Sequence, residues 1–386
     1  MDFRDTKIAF NYKTNFELNK AYYLFKLLSL GYLSVLGRKL LKMLLKINFP
    51  LESLFKNTVY AQFCGGLDID ECSSVINNLK ENNVYAILDY SIEGSTTEND
   101  FDNSLKKCLN ILLKCSDRNL SKFLVFKPSA VGRFSLYKKI SSKAFILDEE
   151  KEEWDRVIGR FHRICSLAEE KSIMVLVDAE ESWIQPAIDD LVLKMMKIFN
   201  KKKVIVFNTL QAYRKDRFNY LLKTHEKLKQ QNIYCGIKLV RGAYMEKERA
   251  RALKKKYESP ICVSKKKTDE LFNKSMKYIL ENIEDFSLFV GSHNEFSNTL
   301  AVDLMKKNKI KKNDEKVWFS QLYGMSDNIS FALANNGYNV AKYLPFGPIK
   351  EVIPYLIRRL DENSSVSTQT NRELQLISME IKRRNS

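Results

Sequence analysis

The chain has 386 residues, 45% of them hydrophobic and 29% charged, which suits a folded protein with a sizeable core and excludes a disordered or fibrous one. Lysine and arginine (64) exceed aspartate and glutamate (47) by 17, so nucleic acid, an anionic membrane surface and plainly solvated lysine faces all have to be weighed. Seven cysteines at scattered spacings without a CxxC pair read as reduced, buried thiols, and His162, His225 and His293 lie too far apart for a histidine metal site, so no metal is expected.

Residues 1–66 read as an N-terminal helical arm. Within it, 21–47 sets Lys26, Arg38, Lys39, Lys42 and Lys46 among Leu24, Phe25, Leu28, Leu33, Leu36, Leu40 and Leu44. Its longest uncharged run, Leu27–Gly37, is too short for a membrane span, which needs about 20 residues. Two readings stay open: an amphipathic helix pair lying on an anionic membrane, or packing onto the rest of the protein. Asp2, Asp5 and Glu17 argue against a cleaved transit peptide, and no signal-peptide pattern opens the chain. The expected location is the cytoplasm, with peripheral attachment to the inner membrane if the source is a bacterium, or the mitochondrion if it is eukaryotic.

After a turn at Cys64-Gly65-Gly66, eight short apolar runs rich in β-formers follow, each leading into a helical stretch: Tyr85–Tyr90, Phe123–Lys127, Ile173–Asp178, Val204–Asn208, Tyr234–Val240, Phe286–Gly291, Val317–Gln321 and Asn339–Tyr343. Alternation of this kind predicts parallel βαβ units, and eight of them predict an α/β fold, a distorted (β/α)8 barrel over 67–370. Its chemistry belongs where the strands end. There the chain places Asp89, Lys127, Asp178 with Glu180, Gln211, Lys238 with Arg241, His293 with Asn294, Gln321 and Tyr343. Residues 364–370 read as a loop before a C-terminal helix, 371–386.

Asp178 and Glu180 stand two apart and so share one face of an extended chain. Buried carboxylates need cations or donors, and Lys127, Lys238, Arg358 and Arg359 are the cations at hand. A purely structural ion-pair network and a functional site both fit. Arg358 and Arg359 follow Pro354 in the last barrel helix, with Glu362 one turn beyond Arg358. The pair suits bidentate capture of a carboxylate or phosphate, and equally an exposed helix C-terminus. The lysine clusters at 254–256, 265–267 and 306–312 carry no interleaved aromatics, so no nucleic acid is expected.

Six segments, Val175–Asp189, Phe207–Asp216, Ile237–Glu246, Ser292–Glu295, Gln321–Met325 and Tyr355–Asn363, together resemble the proline dehydrogenase family, in order and at fitting spacings. The resemblance implies a flavoenzyme that binds FAD without a GxGxxG fingerprint, oxidises L-proline to 1-pyrroline-5-carboxylate and passes electrons to a membrane quinone. It implies that Asp178 and Lys238 serve catalysis, and that Lys127, Tyr343, Arg358 and Arg359 bind the substrate. Flavin contacts fall to Gln211, Lys238, Arg241, Gly242, Ala243, Ser292, His293, Asn294, Gln321 and Glu362, and a gate to Glu93. Lysine stands at 238 where many members have arginine, a point charge in place of a fork. A hydroxyproline dehydrogenase of the same family and a Schiff-base aldolase using Lys238 or Lys127 are the alternatives.

Overall fold

Apolar runs of four to seven residues, buried on both faces, can hydrogen-bond only to one another, and in the computed structural model they do so as eight parallel strands. These are β1 (Val84–Tyr90), β2 (Phe123–Phe126), β3 (Met174–Val177), β4 (Val206–Gln211), β5 (Cys235–Val240), β6 (Phe286–Gly291), β7 (Val317–Leu322) and β8 (Val340–Phe346). They close into one barrel in chain order, as expected for a (β/α)8 fold. The structure describes residues 1–29, 56–90, 96–365 and 367–386, and of residues 28, 57, 359–365 and 367–369 only the backbone.

Besides short helical turns at Lys56–Tyr60 and Ala61–Phe63, the described helices include α1 (Thr6–Phe10), α2 (Asn15–Ser29), α3 (Ile69–Glu81), α4 (Glu98–Asp117), α5 (Phe134–Ser141), α6 (Asp148–Glu170), α7 (Gln185–Phe199), α8 (Arg217–Lys229), α9 (Met245–Lys255), α10 (Lys265–Glu281), α11 (Glu295–Lys307), α12 (Asp327–Asn335), α13 (Ile349–Ser365) and α14 (Ser367–Asn385). Their starts follow local chemistry. Asp68 caps α3, Thr97 and Asp100 form a capping box on α4, and Ser264 and Asn294 cap α10 and α11. Where a loop was expected at 364–370, α13 runs to Ser365 and α14 begins at Ser367.

The chain forms two compact units, each with its own core. In residues 92–320, Phe123 meets Phe289 and Trp318 edge-on at centroid distances of 5.3 and 4.8 Å, tying β2, β6 and β7 together. Each fully buried ring of this kind contributes about 1.5–3 kcal/mol. β2 through β7 pair in register, for example Val125 with Leu176, Phe207 with Gly236, and Lys238 with Phe289.

In the unit built from residues 1–91 and 321–386, β1 pairs with β8 from Val84–Val340 to Tyr90–Phe346. The arm's helices bury Ala9, Phe10, Leu18, Ala21 and Phe25 in a cluster with Ile353, Leu356, Leu376 and Ile377 of α13 and α14. Arg384 secures the arm by donating to the O atoms of Phe10 and Lys13 at the end of α1, at 2.8 and 2.9 Å. The described part of the basic, apolar segment therefore packs one face of α2 onto the protein, while residues 30–47 lie outside the described residues.

β8 extends three residues beyond the expected end at Tyr343, through Pro345. Tyr343 is thus a mid-strand residue, half-buried, with its O accepting from Tyr323 N at 2.8 Å. All seven cysteines are buried and unpaired.

Candidate active site

In residues 92–320 several of the polar residues named from the sequence touch one another: Asp178 and Lys238, Gln211 and Glu180, and Arg241 and Ser292. Lys238, next to the middle of β5 and only 5% exposed, forms an ion pair with Asp178, which directly follows β3. Asp178 is held in place by its own N donating to Phe126 O at 3.0 Å, so β2 fixes the carboxylate that the lysine meets.

Glu180, two residues on, is 4% exposed and takes a different partner. Its carboxyl accepts from Ser129 N at 2.8 Å and Ser129 Oγ at 2.6 Å. Burial pushes this carboxyl up to about 7, against the pull of the Ser129 bonds and of nearby Lys127. The backbone of Glu180 is gripped on both sides: its N donates to Gln185 Oε1 at 2.9 Å, and its O accepts from Gln211 Nε2 at 3.1 Å. Gln185 in turn donates to Asp189, which also receives Asn208 and Arg217 at 2.9 and 2.6 Å. A buried network thus links β3, β4, α7 and α8 behind the strand ends.

Gln211 closes β4 and is 2% exposed, yet its Oε1 has no hydrogen-bond partner among the described residues. A buried orphan acceptor is costly, by about 1–3 kcal/mol, and this atom is able to accept an N–H. Gly242, after β5, has φ +120°, and a Cβ there would stand 2.4 Å from the Tyr213 ring, so only glycine lets this turn pass the tyrosine.

Arg241 reaches Asp269, Ser292 and Ser297 at 2.7, 2.7 and 3.0 Å and lies over the Phe272 ring, so its guanidinium braces the β5 and β6 loops. Ser292 is one of its acceptors. Asn294 spends its Oδ1 on Ser297 N as the cap of α11, and His293 between them is half-buried. Lys127 directly follows β2 and opens the turn Pro128–Ala130.

In the unit of residues 1–91 and 321–386, Gln321 accepts from Ser330 Oγ at 2.7 Å, and Arg358 is half-buried on α13. The side chains of Arg359 and Glu362 lie outside the described residues, as does Glu93. This unit also holds a cluster that the strand-end reading missed. Lys342, wholly buried on β8, pairs with Asp327 at 2.7 Å, and Tyr12 donates to the same carboxylate at 2.5 Å. Ser129, Tyr137, Arg160 and Gln185 were likewise missed; Ser129, two residues past Lys127, carried the one available signal.

The fold is a (β/α)8 barrel, a class of scaffold that in enzymes carries its chemistry at the C-terminal ends of the strands. The chain belongs to the proline dehydrogenase family, whose sequence profile matches residues 72–372. It is 33% identical over 336 residues to the carbapenem antibiotics biosynthesis protein CarD of Pectobacterium carotovorum subsp. carotovorum, covering 87% of this chain and 86% of that protein. With the mitochondrial proline dehydrogenase 1 of Homo sapiens it shares 38% over 272 residues, 70% of this chain and 44% of that one. Proline utilization A from Bdellovibrio bacteriovorus, in a structure inactivated by N-propargylglycine, superimposes with a TM-score of 0.71 at 21% identity over 79% of this chain, a likeness of fold. This chain covers 32% of that protein, and so spans less than half of both it and the human relative.

Proposed function

We propose that the chain is an FAD-dependent dehydrogenase that oxidises L-proline to 1-pyrroline-5-carboxylate and delivers the electrons to a membrane quinone. The observation that carries this reading is the Asp178–Lys238 pair together with the orphan Gln211 Oε1 on the neighbouring strand, all within the stretch that matches the family. Those residues fit a flavin. Its ring carries an N–H for Gln211 Oε1 and accepting nitrogens and carbonyls for Lys238, and the turn after β5 exposes Gly242 and Ala243. When bound, FAD supplies the acceptor for the hydride that leaves C5 of proline, while the ring nitrogen gives up its proton and a C5=N double bond remains.

What the chain itself contributes is positioning and charge. Lys127, Arg358 and Arg359 hold the carboxylate, an assignment that stands on the family motif. Tyr343 packs on the apolar edge of the ring. Lys238, kept in place by Asp178, offers a fixed positive charge where negative charge develops. Ser292, His293, Asn294, Gln321 and Glu362 complete the cofactor's surroundings, and Arg241, Gly242 and Ala243 shape the turn beside it. Glu93 gates entry.

The test is a steady-state assay of the full chain reconstituted with FAD, using a water-soluble quinone as acceptor. Proline-dependent quinone reduction is expected. Its absence in a protein that has taken up FAD would remove the reading. Among the described residues no helix is long and apolar enough to cross a membrane. Contact with the quinone's membrane therefore falls, in this proposal, to the arm, whose helix α2 turns Phe16, Tyr23 and Leu27 outward on one face beside Lys20 and Lys26.

A further inference from the structure

The turn that follows β2 is held more firmly than a surface loop needs to be. Lys127 opens it, and its O accepts from Ala130 N at 3.0 Å. Three buried side chains from three different elements grip the next residues. Tyr137 of α5 donates to Pro128 O at 3.0 Å, Glu180 after β3 takes both donors of Ser129, and Arg160 of α6 donates to Val131 O at 3.2 Å. These three are at most 4% exposed.

Of the three, Glu180 is the one that filling space would not require. A dry carboxyl costs stability, and a glutamine or a methionine would occupy the same volume. What the carboxyl adds is two charge-assisted bonds, aimed at the backbone and the hydroxyl of the second residue after Lys127. Its own backbone is fixed by Gln185 and Gln211, so the grip does not drift. Lys127 lies close enough to stabilise the ionised form of Glu180, which places the ammonium and the carboxyl in one neighbourhood.

We propose that Glu180 is a positioning residue for Lys127: by clamping Ser129 it fixes the turn that begins at Lys127, and so sets where that ammonium meets the substrate's carboxylate. The inference rests on the reading above, in which Lys127 binds the carboxylate of L-proline. Glu180 touches neither substrate nor cofactor in this account.

The experiment compares L-proline with L-proline methyl ester, which keeps the ring and loses the negative charge, in the full chain reconstituted with FAD. Glu180→Ala should raise KM for L-proline about 10-fold, the equivalent of one lost charge-assisted bond, and leave kcat within about 3-fold. The ester should hardly respond, and Glu180→Gln, which keeps one acceptor for Ser129 N but loses the charge, should recover only part of the proline KM. Ser129→Ala, a milder change, should shift KM in the same direction by less. Added to Lys127→Met, Glu180→Ala should cost nothing more. Equal losses on both substrates, or full additivity with Lys127→Met, would overturn the proposal. Amide exchange at Ser129 and Ala130 gives a readout free of activity: it should quicken at least about 10-fold in Glu180→Ala and stay unchanged in Lys127→Met. Unchanged exchange in Glu180→Ala overturns the clamp, whereas a wild type inert toward proline but clamped as described would count against the proline reading alone.

Discussion

Lys238 on β5 and Asp178 at the end of β3, sixty residues apart in sequence, are ion-paired across the strand between them, β4. The lysine is almost buried and the aspartate 21% exposed, so the pair keeps one solvated edge. Lys238→Met leaves Asp178 without this cation and removes a fixed positive charge. The expected outcome is a fall in kcat/KM for L-proline of about 100-fold or more, the scale of losing one electrostatic donor. Asp178→Asn should cost less, and the double variant should fall short of the product of the two. Steady-state kinetics check this, and full additivity would show that the two act separately.

Lys342 and Asp327 form a second buried pair, with Tyr12 as its third member, and its role is structural. Burial would raise the Asp327 carboxyl, but Lys342, Lys13 and Tyr12 outweigh it and hold the carboxyl below its usual 3.8. A depressed carboxylate contributes stability that is present above the unfolded value and is lost as pH falls through the folded one, so this contribution should fade only below pH 3.8. At neutral pH, Lys342→Met should destabilise by about 3–5 kcal/mol through the orphaned carboxylate, and Lys342→Met with Asp327→Leu should recover much of the loss. Thermal melts of the two variants decide it.

Much of this was legible in the sequence, for a physical reason. A strand buried on both faces needs an unbroken apolar run, and a barrel enzyme places its polar groups just past that run, so the eight strands and Lys127, Asp178 and Gln211 announce themselves, while Lys238 stands out as a charge inside the run that forms β5. Boundaries were harder. Pro345 argues against strand, yet as the next-to-last residue of β8 it costs little there, and its O still accepts from Gly65 N at 2.8 Å. What stayed hidden is complementarity across long separations. Nothing local links Ser129 to Glu180, 51 residues on, or Tyr12 to Asp327, 315 residues on. Lys342 sits in an apolar strand where a lysine gives no sign of its partner.

The Glu180 carboxyl works in the opposite direction from Asp327. Its folded value is raised from 4.5 to about 7, chiefly by burial, with Ser129, Lys127 and Glu181 as the groups facing it. A raised group contributes stability that is fully present below 4.5 and lost as pH rises through about 7, a difference of roughly 3 kcal/mol. Wild type should therefore lose stability relative to Glu180→Gln between these two pH values. Denaturant melts at several pH values should show the wild-type curve falling and that of Glu180→Gln staying flatter; parallel curves would mean that Glu180 titrates normally.

The outward face of α2 should matter for membrane contact. Phe16, Tyr23 and Leu27 are 77%, 65% and 51% exposed and spaced to share a face. Changing all three to serine should weaken co-sedimentation with vesicles containing anionic lipid, and salt should weaken it further. If the triple variant and wild type bind equally, this face is not the contact.

The central claim is that the barrel holds a flavin which L-proline reduces. It is tested most directly by the visible absorption spectrum of the purified full chain, reconstituted with FAD and kept anaerobic, before and after addition of L-proline. The account predicts bound, oxidised flavin absorbance that bleaches with L-proline and does so much less in Lys238→Met. A protein that takes up no FAD, or whose bound flavin stays oxidised under excess L-proline, would contradict it.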